Sequence, residues 1–258
     1  MKTALITGAS EGIGFEFAKL FAQNNINLVL VARNERRLQE IKNDLSKNGV
    51  EVSFYAKDLS ITENATEIYN DLISRGISID YLVNNAGFGI DEEFTEIPWQ
   101  RELEMFNLNM ITLAYFTKMF AKDMKSRGFG RILNLGSTAS FQPGPYMAGY
   151  CATKAFVLNL SEAVNYELKG TGVSVSTICP GVTKTKFHEI AQTGKTLMSK
   201  FLAQANPEEV ATYGFTLMMK GKSYGIHGFM NKMMIFSDRL ASRKMIIAVS
   251  AKLLKGKK

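Results

Sequence analysis

The sequence predicts a doubly wound α/β fold with a parallel sheet, in a single domain that carries a basic C-terminal helical tail. Three observations lead there. Short runs rich in Val, Ile and Leu alternate with longer helical patterns. Several of those runs are almost unbroken in their apolar character, as strands covered by helices on both faces are. A glycine-rich turn directly follows the first run. The chain has 258 residues, 46% hydrophobic and 21% charged, enough to bury one large core without a disulfide or metal staple.

Taken in order, TALIT precedes a helical pattern over 12–24, INLVLVA one over 34–48, and VSFYAKD one over 62–75. DYLVNNAG leads into a long helical region near 98–127, GRILNLGS into a helix over about 149–170, and VSVSTICPG toward a helix opened by Asn206-Pro207-Glu208-Glu209. That last signature is an N-cap followed by Pro at the first helical position. Strand and helix taking turns in this way predict a Rossmann-type sheet. Residues 1–220 read as a binding and catalytic body, and 221–258 as a basic extension packed on the same domain. No fixed-period repeat or Pro/Ser-rich linker divides the chain.

The charge is uneven. Residues 221–258 hold nine Lys and Arg against one acid, Asp238, for a local charge of +8, whereas residues 1–220 carry 22 basic and 23 acidic groups. A nearly neutral body argues against a nucleic-acid-binding domain. Cys151, Cys179, His188 and His227 form no ligand cluster, so neither a metal site nor a disulfide framework is expected, and a reducing cytoplasmic setting fits. No apolar run reaches the ~18 residues of a membrane span, and the N-terminal stretch, broken by glycines, does not read as a targeting segment.

The first strand enters Thr7-Gly8-Ala9-Ser10-Glu11-Gly12-Ile13-Gly14, and Phe17, Leu20 and Phe21 mark the helix behind it. Glycines at a first βα turn let backbone N–H groups approach a pyrophosphate at a helix N-terminus, where the dipole favours anions. Gly8, Ser10, Gly12, Ile13 and Gly14 are therefore candidate cofactor residues. The second strand ends in Ala32-Arg33, where NAD-binding proteins carry an acid for the ribose hydroxyls. A guanidinium suits a 2′-phosphate instead, so the expected cofactor is NADP(H). Arg36 and Arg37 nearby leave open that Arg33 is only part of a solvated helix start.

Tyr150 and Lys154 are four residues apart in GYCATKAFVLNLSEAVNYEL, on one face of a helix. A free phenol has a pKa of about 10, and an adjacent cation favours its ionised form, which makes Tyr150 a candidate general acid/base. Ser137 stands at the end of RILNLGS, the carboxyl edge where such sheets bind ligands, and its hydroxyl can polarise a carbonyl oxygen.

With TGASEGIG, Asp58-Leu59, Asn84-Asn85-Ala86-Gly87, Asn109, Ser137, YCATK and Pro180-Gly181 in this order, residues 3 to about 190 resemble the short-chain dehydrogenase/reductases. The resemblance implies that Asp58 and Leu59 lie by the adenine and that Asn85, Ala86 and Gly87 shape the cofactor wall. It implies that Thr183 and Thr185, after Pro180 and Gly181, meet the nicotinamide end. Lys154 would hold the nicotinamide ribose and lower the tyrosine pKa, and Asn109 would support a water-linked proton relay. The expected reaction is hydride transfer between nicotinamide and a ketone, aldehyde or secondary alcohol, with lipid-like 3-oxoacyl or steroid-like ketones as a narrower option. A non-catalytic dinucleotide sensor is the alternative of another class.

Three further segments are less specific. The apolar helix near 98–127 fits either core packing or, by the resemblance, a homodimer or homotetramer interface built with the helix of Tyr150. Residues 184–206 mix Phe187, Ile190, Leu197, Met198, Phe201 and Leu202 with polar positions, as a lid over a lipophilic substrate or a plain amphipathic helix does. In RLASRKMIIAVSAKLLKGKK the residues Leu240, Met245, Ile246, Val249 and Leu253 are expected on one side of a helix among cations, docked on the body, on a partner subunit or peripherally on a membrane.

Overall fold

The computed structural model describes residues 1–185 and 204–255. Seven parallel strands form one sheet in the order β3-β2-β1-β4-β5-β6-β7. They are β1 (Thr3–Thr7), β2 (Asn27–Ala32), β3 (Val52–Ala56), β4 (Tyr81–Asn84), β5 (Gly130–Leu135), β6 (Val173–Cys179) and β7 (Tyr224–Ile226). From β1 the chain moves outward through β2 and β3, then crosses to β4 on the other side of β1. This reversal opens a crevice at the carboxyl ends of β1 and β4, the ligand site of doubly wound sheets.

The helices in chain order are α1 (Gly12–Gln23), α2 (Glu35–Leu45), α3 (Thr62–Ser74), α4 (Trp99–Phe106), α5 (Leu113–Arg127) and α6 (Ala148–Glu167). After the undescribed stretch come α7 (Pro207–Met219), α8 (Phe229–Asp238) and α9 (Arg243–Leu254). Asn206 caps α7 by accepting from Glu208 N at 3.1 Å, with Pro207 at the first position, as its sequence signature predicts. A single wide π turn, Asn107–Thr112, joins α4 to α5 without a break.

Strand alternation places the core on both faces of the sheet. On β1, Ala4 and Ile6 pack with Phe17, Phe21, Val210 and Met218 of α1 and α7. Leu5, between them, joins Ile68, Phe116, Phe120 and Met124 of α3 and α5 on the opposite face. All five β1 residues except Thr3 are fully or almost fully buried, which accounts for the unbroken apolar runs in the sequence. β7 lies beyond residue 220. It pairs with β6 through Thr177–Tyr224, Ile178–Gly225 and Cys179–Ile226, so the sheet continues into the segment that charge had set apart.

Among the described residues, no helix is long and apolar enough to cross a membrane. On α9, Ser250 and Leu254 are the buried residues, Ile246 and Leu253 are half-buried, and Met245 and Val249 are 61% and 58% exposed, so the expected apolar side turns Met245 and Val249 outward while Ile246 and Leu253 border the buried edge.

Candidate active site

A cleft of about 790 Å³ lies along the carboxyl edge of the sheet, within the usual range for ligand pockets. In strand order its lining passes from Arg33 and Asp58, through Gly8, Ser10, Gly12 and Ile13, to Asn85, Ala86 and Gly87. It continues to Ser137, Tyr150 and Lys154, and on to Pro180, Gly181, Thr183 and Thr185. Leu59 also lines it, as do Gln142, Gly144, Met147 and Leu254.

The glycine turn is open because nothing larger fits. Gly8 and Gly12 have φ of +64° and +56°, the left-handed region that disfavours side chains. A Cβ on Gly14 would collide with the Gly8 carbonyl oxygen, and one on Gly8 would come within 2.7 Å of Asn85 Nδ2. The turn is stapled to β4: Thr7 Oγ1 accepts from Asn85 N at 3.0 Å and Ala86 N at 2.9 Å. Asn85 Nδ2 in turn donates to Thr7 O at 2.9 Å. Gly12 and Ile13, at the start of α1, line the cleft beside the turn. A backbone held this bare, beside the start of a helix, fits a pyrophosphate.

After β2, Arg33 Nη1 lies 3.7 Å from Asp58 Oδ2 and its side chain is 73% exposed, free to swing toward an anion. Asp58 is itself fixed, its Oδ1 accepting from Ser60 N at 2.9 Å and Ser60 Oγ at 2.7 Å. Arg37, which the sequence placed only on a helix start, donates from Nε to Ser10 O at 3.4 Å and lies over the Phe15 ring. Arg33 thus lines the cleft, while Arg37, also paired with Glu40, stands beside the glycine turn. Thr112 Oγ1 donates to Leu59 O at 2.8 Å, tying the loop after β3 to the π turn.

At the reacting end, α6 brings Tyr150 and Lys154 together as their spacing requires, with Lys154 Nζ 5.7 Å from the centre of the Tyr150 ring. Nζ donates to Leu135 O at 2.7 Å. Ser137 hydrogen-bonds the Tyr150 hydroxyl, and Ser137 Oγ also accepts from Ala139 N at 3.1 Å. Asn109, in the π turn, donates from Nδ2 to Phe88 O at 2.9 Å and Thr153 Oγ1 at 3.2 Å, and its Oδ1 accepts from Phe88 N at 3.2 Å. A Cβ on Gly87 would come 2.9 Å from Asn109 Oδ1 and 3.6 Å from Lys154 Nζ, so all three meet at one point. π turns recur at functional sites, and this one aims Asn109 inward.

The electrostatics differ from the sequence expectation in one respect. An adjacent ammonium was expected to lower the phenol's pKa, yet in the protein alone burial dominates and pushes Tyr150 upward, with the Ser137 hydrogen bond pulling the other way. Burial also lowers Lys154 to about 8. Desolvation penalises both charged forms. A neutral phenol held by a serine hydroxyl has the chemistry of a general acid.

Over residues 2–195 the sequence matches the short chain dehydrogenase family. The chain belongs to that family. It is 30% identical over 256 residues to the mouse very-long-chain 3-oxoacyl-CoA reductase, covering 97% of this chain and 80% of that protein. An oxidoreductase of Staphylococcus epidermidis is 31% identical over 215 residues, or 83% of this chain and 91% of its own length. Among solved structures, a short-chain dehydrogenase from Sphingobium yanoikuyae in complex with NADPH superposes with a TM-score of 0.83 at 29% identity, covering 93% of this chain and 94% of that one. A 7β-hydroxysteroid dehydrogenase superposes with a TM-score of 0.87 at 25% identity, over 96% of both chains.

In this short-chain dehydrogenase the remaining sequence candidates are placed as follows. Thr185 lies against the glycine turn, its Cγ2 3.0 Å from where a Gly12 Cβ would stand. Thr183 Oγ1 donates to Gly181 O at 3.1 Å, and Pro180 O accepts from Thr138 N at 2.9 Å. The suggested lid, residues 184–206, lies almost wholly outside the described residues. Leu254 is one of the lining residues that sequence reasoning missed, with Phe88, Gln142, Gly144 and Met147. It is buried with Ile90, Met105, Met147, Tyr150 and Cys151, far from all of them except through the fold.

Proposed function

We propose that this oxidoreductase transfers a hydride between NADP(H) and a ketone, aldehyde or secondary alcohol, with Tyr150 as general acid/base. The observation that carries this reading is the lining of one cleft by the bare glycine turn and by Ser137, Tyr150 and Lys154. Gly8, Ser10, Gly12, Ile13 and Gly14 would hold the pyrophosphate; Arg33, with Arg37, the 2′-phosphate; Asp58 and Leu59 the adenine; and Asn85, Ala86, Gly87, Pro180, Gly181, Thr183 and Thr185 the remainder. The bound nicotinamide supplies or accepts the hydride. Ser137 and Tyr150 hold the substrate oxygen, and Tyr150 gives it a proton as negative charge develops. Lys154 orients the ribose beside the phenol. Asn109, through Phe88 O and its neighbours, positions the water that returns the proton.

The substrate end favours an apolar carbonyl compound, since Met147, Phe88 and Leu254 line it. A lipid-like ketone, 3-oxoacyl or steroid-like, is the narrower reading, in keeping with the activities named for two of the relatives. A sensor without turnover has no use for the proton donor. We further place the enzyme in the reducing cytoplasm, at the periphery of a membrane, and as a homo-oligomer. Trp99, Ile111, Phe156 and Tyr166 on α4 to α6 are exposed and would be covered in a subunit contact.

The test is a panel of carbonyl compounds and alcohols followed at the nicotinamide absorbance with NADPH and NADH. Turnover of apolar ketones with a preference for NADPH is the expected result. Absence of turnover with every carbonyl, despite NADPH binding, would overturn the reading.

A further inference from the structure

The helix α8 is amphipathic in the wrong sense for a soluble surface. Its outward stripe is Phe229, Met230, Met233 and Phe236, exposed by 74%, 72%, 49% and 58%, and Leu240 just beyond continues the row at 80%. The spacing of those residues keeps them on one side of the helix. The opposite side holds Asn231, Met234, Ile235 and Asp238, which are buried or half-buried. Asn231 anchors it beside the active site, where a Cβ on Gly181 would strike its side chain. On α9, Met245 and Val249 face outward with Lys244 and Lys252 between and beside them, all four exposed. Rows of large exposed apolar side chains of this kind mark an interaction surface.

We infer that α8 and α9 form a docking surface for an anionic lipid bilayer, and that it delivers lipophilic carbonyl substrates to the cleft that α9 walls. This rests on the proposed reductase reading and deepens it. Charge selects the occupant. Lys232, Arg239, Arg243, Lys244, Lys252 and Lys255 belong to these two helices and their flanks, and Asp238 is their one acid. Asp238 faces inward, its Oδ2 buried and its carboxyl held above the ordinary carboxylate range by burial. A second copy of the chain docked by the same face would set cations against cations, which is repulsive. An anionic headgroup layer accepts the cations while its acyl region accepts Phe229, Met230, Phe236 and Leu240. The inward face of the same α9 ends in Leu254, packed on Met147, Tyr150 and Cys151. The surface is thus one helix thickness from the reacting residues.

The experiment is flotation of the full chain with vesicles of phosphatidylglycerol and phosphatidylcholine in equal parts, against phosphatidylcholine alone, at about 0.1 M salt where screening is moderate. The expected result is flotation with the anionic vesicles only, lost at high salt. Two triple variants follow, F229S/M230S/F236S and R239E/K244E/K252E. Their side chains are exposed, so both should fold, which circular dichroism and an unchanged melting midpoint would establish. Each should lower partitioning at least tenfold while leaving turnover of a short water-soluble ketone within about twofold, and should slow turnover of a long-chain ketone presented in the vesicles. Equal flotation by the parent and both variants would overturn the proposal. So would equal binding to neutral vesicles, or loss of a dimer in the apolar variant on gel filtration, which would make a second copy the occupant. Flotation without any turnover would sink the reductase reading and leave the docking surface standing; turnover without flotation would do the reverse.

Discussion

The two ends of the cleft are built by different means. At the dinucleotide end, position is set by backbone and short hydrogen bonds. Gly8 and Gly12 hold left-handed φ, Thr7 Oγ1 takes two N–H groups from the end of β4, and Asp58 is gripped by Ser60. At the substrate end, Ile90, Met105, Met147, Cys151 and Leu254 meet through apolar contact. A ligand of fixed shape can be recognised by a rigid polar frame, whereas apolar side chains can be exchanged for others of similar size at small cost. The difference teaches where specificity would reside under the proposed function: in the frame for the cofactor, and in the side chains for the carbonyl compound.

The largest effect should appear where the ends meet. Tyr150→Phe removes the proton donor alone, and turnover should fall about 10³-fold, within the range for general acid catalysis, with the NADPH dissociation constant changed by less than about threefold. Stopped-flow turnover and fluorescence titration check it; comparable losses in both would show that the two ends are not separable. At the frame, Arg33→Ala should weaken NADPH roughly 10- to 100-fold, the loss of one charge-assisted contact, and leave NADH binding alone. Because the Arg33–Asp58 pair is 3.7 Å long and largely exposed, the melting midpoint should scarcely move.

Lys154 belongs to both ends, and its titration offers a third test. Its folded pKa of about 8 lies below the ordinary 10.5, so between those values the unfolded chain binds more protons than the folded one. Stability contributed at this site therefore rises as pH increases through that window. Relative to Lys154→Met, the parent should gain about 2–3 kcal/mol in urea denaturation between about pH 7 and pH 10. A flat difference would mean that Lys154 keeps its ordinary pKa. Smallest is Leu254→Ala, which should raise KM for a bulky apolar ketone about three- to tenfold and leave NADPH affinity unchanged. A shift in NADPH affinity instead would break the division between frame and wall.

These same residues mark how far the sequence could be read. The glycine turn and the Tyr150–Lys154 pair are legible because each is a local spacing whose geometry one turn or one helix dictates. Both faces of the sheet are legible from runs such as INLVLVA, where every second residue serves a different core. β7 is not, since three residues carry no periodicity. Arg37 looked like any charge on a helix start, and only the fold brings its Nε to Ser10 O. Leu254 and Tyr150 are more than a hundred positions apart, and no local pattern announces that they touch. The upward pull on the phenol's pKa was not legible for a related reason: the neighbouring ammonium is visible in the sequence, the depth of burial is not.

The wide turn at Asn107–Thr112 has a consequence for how this protein can change length. A π turn spends about one residue more than an α turn on the same full rotation, so deleting one position there would restore ordinary α winding and keep α4 in phase with α5 while removing the bulge that carries Asn109. The Asn109 amide would then turn away from Phe88. The turn acts as a spacer with a fixed residue count, and insertions or deletions tolerated elsewhere between β4 and β5 should be selectively forbidden across those six positions.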